Sequence, residues 1–451
     1  MIHLSVEPPT RSYAPSRRGF LRAMLGGIGA WGGMELLGNA AHAATAADPN
    51  TAVIQIWLAG GPSHVDLYDP KPEAPVEYRS LFPFVPTDVP GLDVCELLPR
   101  HAGIMRHLSL IRSLHHTTND HVAGTHWMQT GEFGATAAQP DPVRPSVGSI
   151  VAQSRSATGA SQLPYVHVLP ELPIELYSQQ FGSSYLGPAF DPFDVTMPFP
   201  GYSRKVRFDV PHLVPVPGLE LERIDRRLSL REQFDRMRRG FDEDGWDAGD
   251  YGRAFELVSS RPIQEAFDLS RESAEVRGRY GNTGWGQGAL LCRRLVEAGA
   301  TFVTLNTDSS SNMWDNHANI EKYFKIMLPA YDRMLSALVG DLVERGLYER
   351  VIVLVWGEFG RTPQINQRGG RDHWGRAACA LVGGGGLRVG QVIGATTAKG
   401  EEPAERPIRP GDVLATLYQR LGIDTQRQFV NRSGRPIPIL SDGEPIEELV
   451  G

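Results

Sequence analysis

The sequence predicts an α/β fold around a mainly parallel central sheet, and three features of its patterning carry that reading. Strand-like runs at residues 51–58, 108–114, 165–169, 301–306, 351–357 and 377–382 are rich in β-branched residues and leucine with little alternation, as in strands covered on both faces. Helical patterns lie between them, the clearest at 285–298 and 320–345. The stretch from Leu290 to Val303 is a helix, a stop at Gly299 and a strand, which is the repeating unit of such folds.

Taken from the start, residues 1–43 read as a twin-arginine signal peptide. Arg17-Arg18 and Phe20-Leu21 precede a weakly hydrophobic, glycine-rich stretch, 23–38, too short and polar to span a bilayer stably. Ala41-His42-Ala43 then offers a small-x-small cleavage site. The expected partner is the twin-arginine translocase, the expected destination the periplasm or extracellular space, with no stable transmembrane anchor. Residues 1–43 hold four of the 45 basic residues and two of the 52 acidic ones, which leaves 41 against 50 in a domain spanning 44–451. That acidic balance argues against nucleic acid as a partner. Cys95, Cys292 and Cys379 are odd in number and far apart, so no disulfide framework is expected.

After the first strand comes Gly60-Gly61-Pro62-Ser63-His64-Val65-Asp66. A glycine turn at the carboxyl end of a parallel strand exposes the residues after it, and at that edge ligands bind. His64 and Asp66 are two apart, so in extended chain they face the same way and are candidate ligands of one cation. The alternative is that His64 caps a turn and Asp66 bonds backbone amides. After the second strand, His115, His116, His121 and His126 fall within twelve residues. His121 is placed at a helix amino end, while one or two of the four are expected only to pack. From about 179 to 270 the texture shifts to Gly/Pro/aromatic loops and then an Arg/Asp/Glu-rich helical stretch at 221–239, read as an inserted lobe or cap with a solvated charged face.

Beyond the strand at 301–306 lies Asn312-Met313-Trp314-Asp315-Asn316-His317. The helix at 320–345 repeats Tyr331, Leu335, Leu338 and Leu342 on one face. After the strand at 351–357 come Glu358-Phe359-Gly360-Arg361-Thr362-Pro363 and then Arg371-Asp372-His373-Trp374. The run Gly383 to Gly386 lacks the lysine of a phosphate loop and reads as a tight turn. Acid and histidine sets following separate strands converge if the sheet is parallel, which makes them together a candidate metal site.

On these motifs the chain resembles the bacterial family called domain of unknown function 1501, grouped with the alkaline-phosphatase-like and sulfatase-like superfamily, from about Val53 to the C-terminus. The resemblance implies an alkaline-phosphatase-like three-layer sandwich with a mainly parallel sheet and an inserted helical and loop lobe. It implies a metal-dependent hydrolase of sulfate or phosphate esters, with a divalent ion (Zn, Ca, Mg or Mn) and a sulfated or phosphorylated small molecule or polysaccharide as substrate. His64, Asp66, His121, Asp315, His317, Glu358 and His373 are then the candidate ligands. The superfamily nucleophile, counted nine residues back from Thr130 of the Thr-Gly pair, falls on His121. His121 is therefore read as a metal ligand or phosphoryl acceptor, Thr125 as a weak substitute nucleophile, and Arg361 as binding an ester oxygen or pairing with Glu358. The departure from a hydroxyl nucleophile favours a second reading, a non-catalytic envelope or polysaccharide-binding protein that keeps the fold.

Overall fold

The structure is a computed structural model, and it describes residues 51–156, 163–170, 179–197, 261–307 and 313–451. The chain divides into Met1–Ala44 and Thr45–Gly451. The expected signal peptide and the helical stretch at 221–239 lie outside the described residues.

Among the described residues the main sheet has eight strands: β1 (Ala52–Trp57), β2 (Ser109–Leu114), β3 (Tyr165–Pro170), β4 (Phe193–Met197), β5 (Phe302–Asn306), β6 (Val351–Trp356), β7 (Ala378–Gly384) and β8 (Val392–Ile393). Their order is β8-β2-β7-β6-β1-β5-β3-β4. All pairings are parallel except those of β7, which runs against β2 and β6.

The continuous apolar runs are explained by a core on each face. Along β6, Val351, Val353 and Val355 enter one core and Ile352, Leu354 and Trp356 the other, all nearly inaccessible. Burying each such side chain contributes roughly 1.5–3 kcal/mol, which outweighs the weaker turn and loop preferences nearby. Among the described residues the α-helices, in chain order, are α1 (His64–Leu67), α2 (His121–Thr130), α3 (Val147–Ser156), α4 (Arg261–Phe267), α5 (Ala274–Tyr280), α6 (Gly284–Glu297), α7 (Ile320–Glu344), α8 (Pro410–Leu421) and α9 (Glu447–Val450). α6 and α7 pack on one face, Tyr331, Leu335, Leu338 and Leu342 being fully buried there, and α2, α3 and α8 supply the core of the other. The result is the α/β architecture predicted from the patterning, in the three-layer form that the resemblance implies.

Two expectations change. Residues 193–197, inside the span read as an inserted lobe, form edge strand β4, paired parallel to β3 with Val195 and Met197 in the core. Ile263 and Ala266 of α4 pack in the same core. Alternating burial over five residues is a strand signal that the surrounding Gly/Pro texture hides. Secondly, His64 and Asp66 do not lie in extended chain: Ser63 caps the short helix α1 by accepting from the Asp66 amide, so the two side chains leave a helical turn in different directions.

Three buried cysteines are free, as expected. β7 ends in Gly384, and Gly384, Gly385 and Gly386 all have positive φ, the tight turn predicted. No helix among the described residues is long and apolar enough to cross a membrane.

Candidate metal centre

The carboxyl edge of the sheet gathers segments from five strands. β1, β2, β5 and β6 deliver the residues that come after them. Because β7 is reversed, with Ala378 opposite Leu114 at the end of β2, it delivers the residues that precede it, Arg371 to Gly375. These pair as a small hairpin, His373–Trp374 against Gly360–Arg361.

Three imidazoles and one carboxylate meet there. The ligand atoms of His121, Asp315 and His373 lie within 4.8 Å of one another. His317 joins them: its Nε2 is 2.9 Å from His373 Nε2 and 3.1 Å from Asp315 Oδ1, while His373 Nε2 is 3.0 Å from the same oxygen. His121 Nε2 stands 3.6 Å from Asp315 Oδ2. The four side chains are 13–34% exposed, so the cluster is reachable from solvent.

Each ring is oriented by an acceptor on its other nitrogen. Nδ1 of His121 donates to Glu358 Oε1 at 2.6 Å, Nδ1 of His317 to Asp372 Oδ1 at 2.7 Å, and Nδ1 of His373 to the Asn119 carbonyl at 2.8 Å. In the neutral rings Nε2 is then a bare lone pair. Two of these lone pairs face each other and a carboxylate oxygen at about hydrogen-bond distance, with no donor among them. Either a proton or a metal ion resolves that conflict, and nitrogen and oxygen ligands with fixed tautomers are what a divalent ion requires.

Electrostatics reinforce the arrangement. Burial alone would raise the Asp315 pKa, but His121, His373 and Arg361 hold that carboxyl well below the usual carboxylate range. Burial works against a charged His121, yet hydrogen bonds and charge from Asp315 and Glu358 push its pKa up to about 9. Glu358 is buried. Its Oε1 also accepts from the Gly60 amide at 2.7 Å, and its Oε2 has no hydrogen-bond partner among the described residues.

Local sequence explains the placement. Asp120 caps α2 by accepting from the Ala123 amide and so sets His121 at the helix start. Trp314, buried and stacked on Trp285, donates to the Thr307 hydroxyl at 2.9 Å and anchors the loop that carries Asp315. Gly60, at φ +115, lies against the Asp315 backbone, where a Cβ would come within 2.6 Å of the Asp315 nitrogen, so only glycine fits.

Other expected site residues are placed elsewhere. Asp66 is buried in a bidentate pair with Arg371, at 2.7 and 3.2 Å, and also accepts from Ser63 and the Leu81 amide. His64 is buried, with Nε2 on the Gly400 carbonyl at 2.9 Å, and burial lowers its pKa. Neither joins the cluster, because each is engaged within the loop packing. Glu358 orients His121 and is not grouped with the three convergent ligands. Arg361 neither faces solvent nor pairs with Glu358. It is fully buried and donates to Asp315 and to the carbonyls of Gly60, Gly61 and Arg371. Thr125, one helical turn beyond His121, is 1% exposed, so its hydroxyl is closed off from solvent. Of the four clustered histidines, three rather than one or two turn away: His115, His116 and His126 bond to the carbonyls of Ile408, Glu358 and Glu132.

Sequence reasoning missed Asp372 and the Asn119 carbonyl. Asp372 had a signal, its position beside His373; a carbonyl has none. Phe359, whose ring lies 4.9 Å from His121 and 4.7 Å from His373, was also unread as a packing partner of the site.

The family model described as protein of unknown function, DUF1501, matches residues 50–450. The chain belongs to that family. No curated protein matches the sequence. Among solved structures it is similar to the lipoteichoic acid synthase LtaP from Listeria monocytogenes, with 12% identity, TM-score 0.42, and coverage of 87% of this chain and 75% of that one. It is also similar to the PsFucS1 sulfatase from Pseudoalteromonas sp., with 11% identity, TM-score 0.38, and coverage of 88% and 70%. A protein in the alkaline phosphatase superfamily from Vibrio parahaemolyticus matches at 10% identity and TM-score 0.36, over 83% of this chain and 67% of the other.

Proposed function

We propose that this protein is an exported, metal-dependent hydrolase of sulfate or phosphate esters. The observation that carries the reading is the convergence of His317 Nε2, His373 Nε2 and Asp315 Oδ1 within about 3 Å, acceptors all, with His121 completing the group. Asp315, His121, His317 and His373 are the residues that would hold the ion. A set rich in imidazole suits zinc better than calcium, magnesium or manganese, which favour oxygen ligands. A divalent ion so held would supply Lewis-acid polarisation of an ester oxygen and would acidify water, a role that needs no hydroxyl nucleophile.

The chain's own residues define the rest. Arg361 neutralises Asp315 from below and fixes its orientation, and Glu358 holds His121. Export through the twin-arginine translocase, carrying a folded and metal-loaded domain, accords with residues 1–43.

One observation favours the alternative, a non-catalytic envelope or polysaccharide-binding protein: the position where the resemblance expects a nucleophile is His121, already bonded to Glu358. One experiment separates the two. Elemental analysis of the purified 44–451 domain is expected to show tightly held metal, retained by the wild type and lost from His373→Ala and Asp315→Ala. Aryl sulfates and phosphates are then assayed with and without chelator, and chelation is expected to abolish turnover. Metal retention with no turnover on any ester would decide for the non-catalytic reading, and the absence of metal would overturn the assignment.

A further inference from the structure

We infer that Asp372 is a positioning residue that holds His317 in the tautomer the cluster needs, and that it does so through a relay from Asn366. The inference rests on the proposed metal-binding reading and adds to it a residue outside the ligand set.

Asp372 Oδ1 accepts from His317 Nδ1 at 2.7 Å. Asn366 Nδ2 stands 3.3 Å from both Asp372 oxygens and 3.1 Å from the His317 carbonyl, so one amide group holds the carboxylate and the histidine backbone together. The Asn366 Oδ1 is used in turn by the amides of Arg368 and Gly370, which fixes the amide orientation. Asp372's own amide donates to the Thr362 hydroxyl at 3.0 Å. Nothing in this arrangement fills a core: the Asp372 side chain is 49% exposed and that of His317 34%. A surface ion pair of this kind contributes little to stability. Its consequence is chemical. A free neutral imidazole favours the tautomer with the proton on Nε2, and in His317 that proton would point at His373 Nε2 and Asp315 Oδ1, where the lone pair is required. A carboxylate on Nδ1 reverses the preference and raises the basicity of Nε2.

His317 is also the most exposed of the three rings, and its acceptor is an exposed side chain, whereas His121 is held by the buried Glu358 and His373 by a main-chain carbonyl. It is therefore the ligand whose orienting group is an exposed side chain that a substitution can remove, and the loss of that partner is expected to be read without collapse of the fold.

The test is zinc titration of the metal-free 44–451 domain, with imidazole ¹⁵N spectra of His317, for wild type, Asp372→Ala and Asp372→Asn. Asp372→Ala is expected to weaken zinc affinity about 10- to 100-fold, to shift the His317 Nδ1 resonance from the protonated toward the lone-pair range, and to leave the melting temperature of the metal-free protein nearly unchanged. Asp372→Asn, whose amide oxygen still accepts from Nδ1, is expected to restore the tautomer and most of the affinity. Unaltered affinity and an unaltered Nδ1 signal in Asp372→Ala, in a wild-type protein that binds zinc, would overturn the inference and leave the metal site standing. Failure of the wild type to bind zinc would overturn the metal site, and the His317 signal in the metal-free protein would still decide whether Asp372 sets the tautomer.

Discussion

Arg361 shows how one buried side chain can serve a site it does not form. Its guanidinium is closed in by Asp315 and three backbone carbonyls, and burial lowers its pKa while Asp315 opposes that shift. Replacing it with methionine keeps the volume but removes the counter-charge of Asp315 and the donors to Gly60 and Gly61. Breaking one side of a buried pair is strongly unfavourable, and Arg361→Met is expected to destabilise the metal-free domain by about 3 kcal/mol. Urea unfolding in the presence of chelator measures this; a change under about 0.5 kcal/mol would mean that Arg361 does not hold Asp315.

At the scale of an element, α2 is the piece whose seating decides the centre. Its first turn bears His121, and Gly124 lies where a Cβ would come within 2.9 Å of the Glu358 carbonyl oxygen and 3.2 Å of the Glu358 Cβ. Two effects compete in Gly124→Ala. Helix propensity favours alanine by about 1 kcal/mol, whereas overpacking against an immobile backbone costs about 1–3 kcal/mol. The collision involves main chain at the end of β6, which cannot swing aside, so the second effect wins. The variant is expected to be less stable than wild type, and to hold metal more weakly because His121 and Glu358 separate. Thermal melts and zinc titration check both, and a stabilised variant would show that α2 can slide.

At the scale of the molecule, the Asp66–Arg371 pair ties the loop after β1 to the segment before β7, residues 305 apart in sequence. Burial would raise the Asp66 pKa, but the Arg371 guanidinium and the donors from Ser63 and Leu81 hold it below its ordinary value. A carboxyl whose folded pKa is depressed contributes stability in full above its unfolded value, and that contribution is lost as pH falls through the folded one. The domain is therefore expected to lose stability as pH drops below about 4. Asp66→Asn is expected to be destabilised by about 3–5 kcal/mol near neutrality, because Arg371 is left buried without a counter-charge, and to show less of the acid dependence. Unfolding curves at a series of pH values provide the comparison; equal acid sensitivity in both proteins would place its origin elsewhere.

Much of this architecture was legible in the sequence because its causes are local. Continuous apolar runs such as Val351 to Trp356 mark strands covered on both faces, the three-to-four repeat of Tyr331, Leu335, Leu338 and Leu342 marks one helix face, and glycines after strands mark the edge where sites form. The motifs carrying Asp315, His317, His121 and His373 were equally visible as short acid and histidine sets. What only the tertiary structure decided is which members of those sets meet. His64 and Asp66 share a motif yet turn into packing, because a helical turn rather than an extended chain comes after Ser63. His121 separates from His126 because the two lie on different faces of α2, and from His115 and His116 because those precede the helix. His373 reaches the centre because β7 alone is reversed, so residues before a strand arrive at the edge where other strands deliver the residues after them. Sequence determines which groups are available and which elements carry them. The direction of each strand and the acceptor behind each imidazole, set by contacts 55 to 254 residues apart for the three rings, determine which of those groups share one point in space.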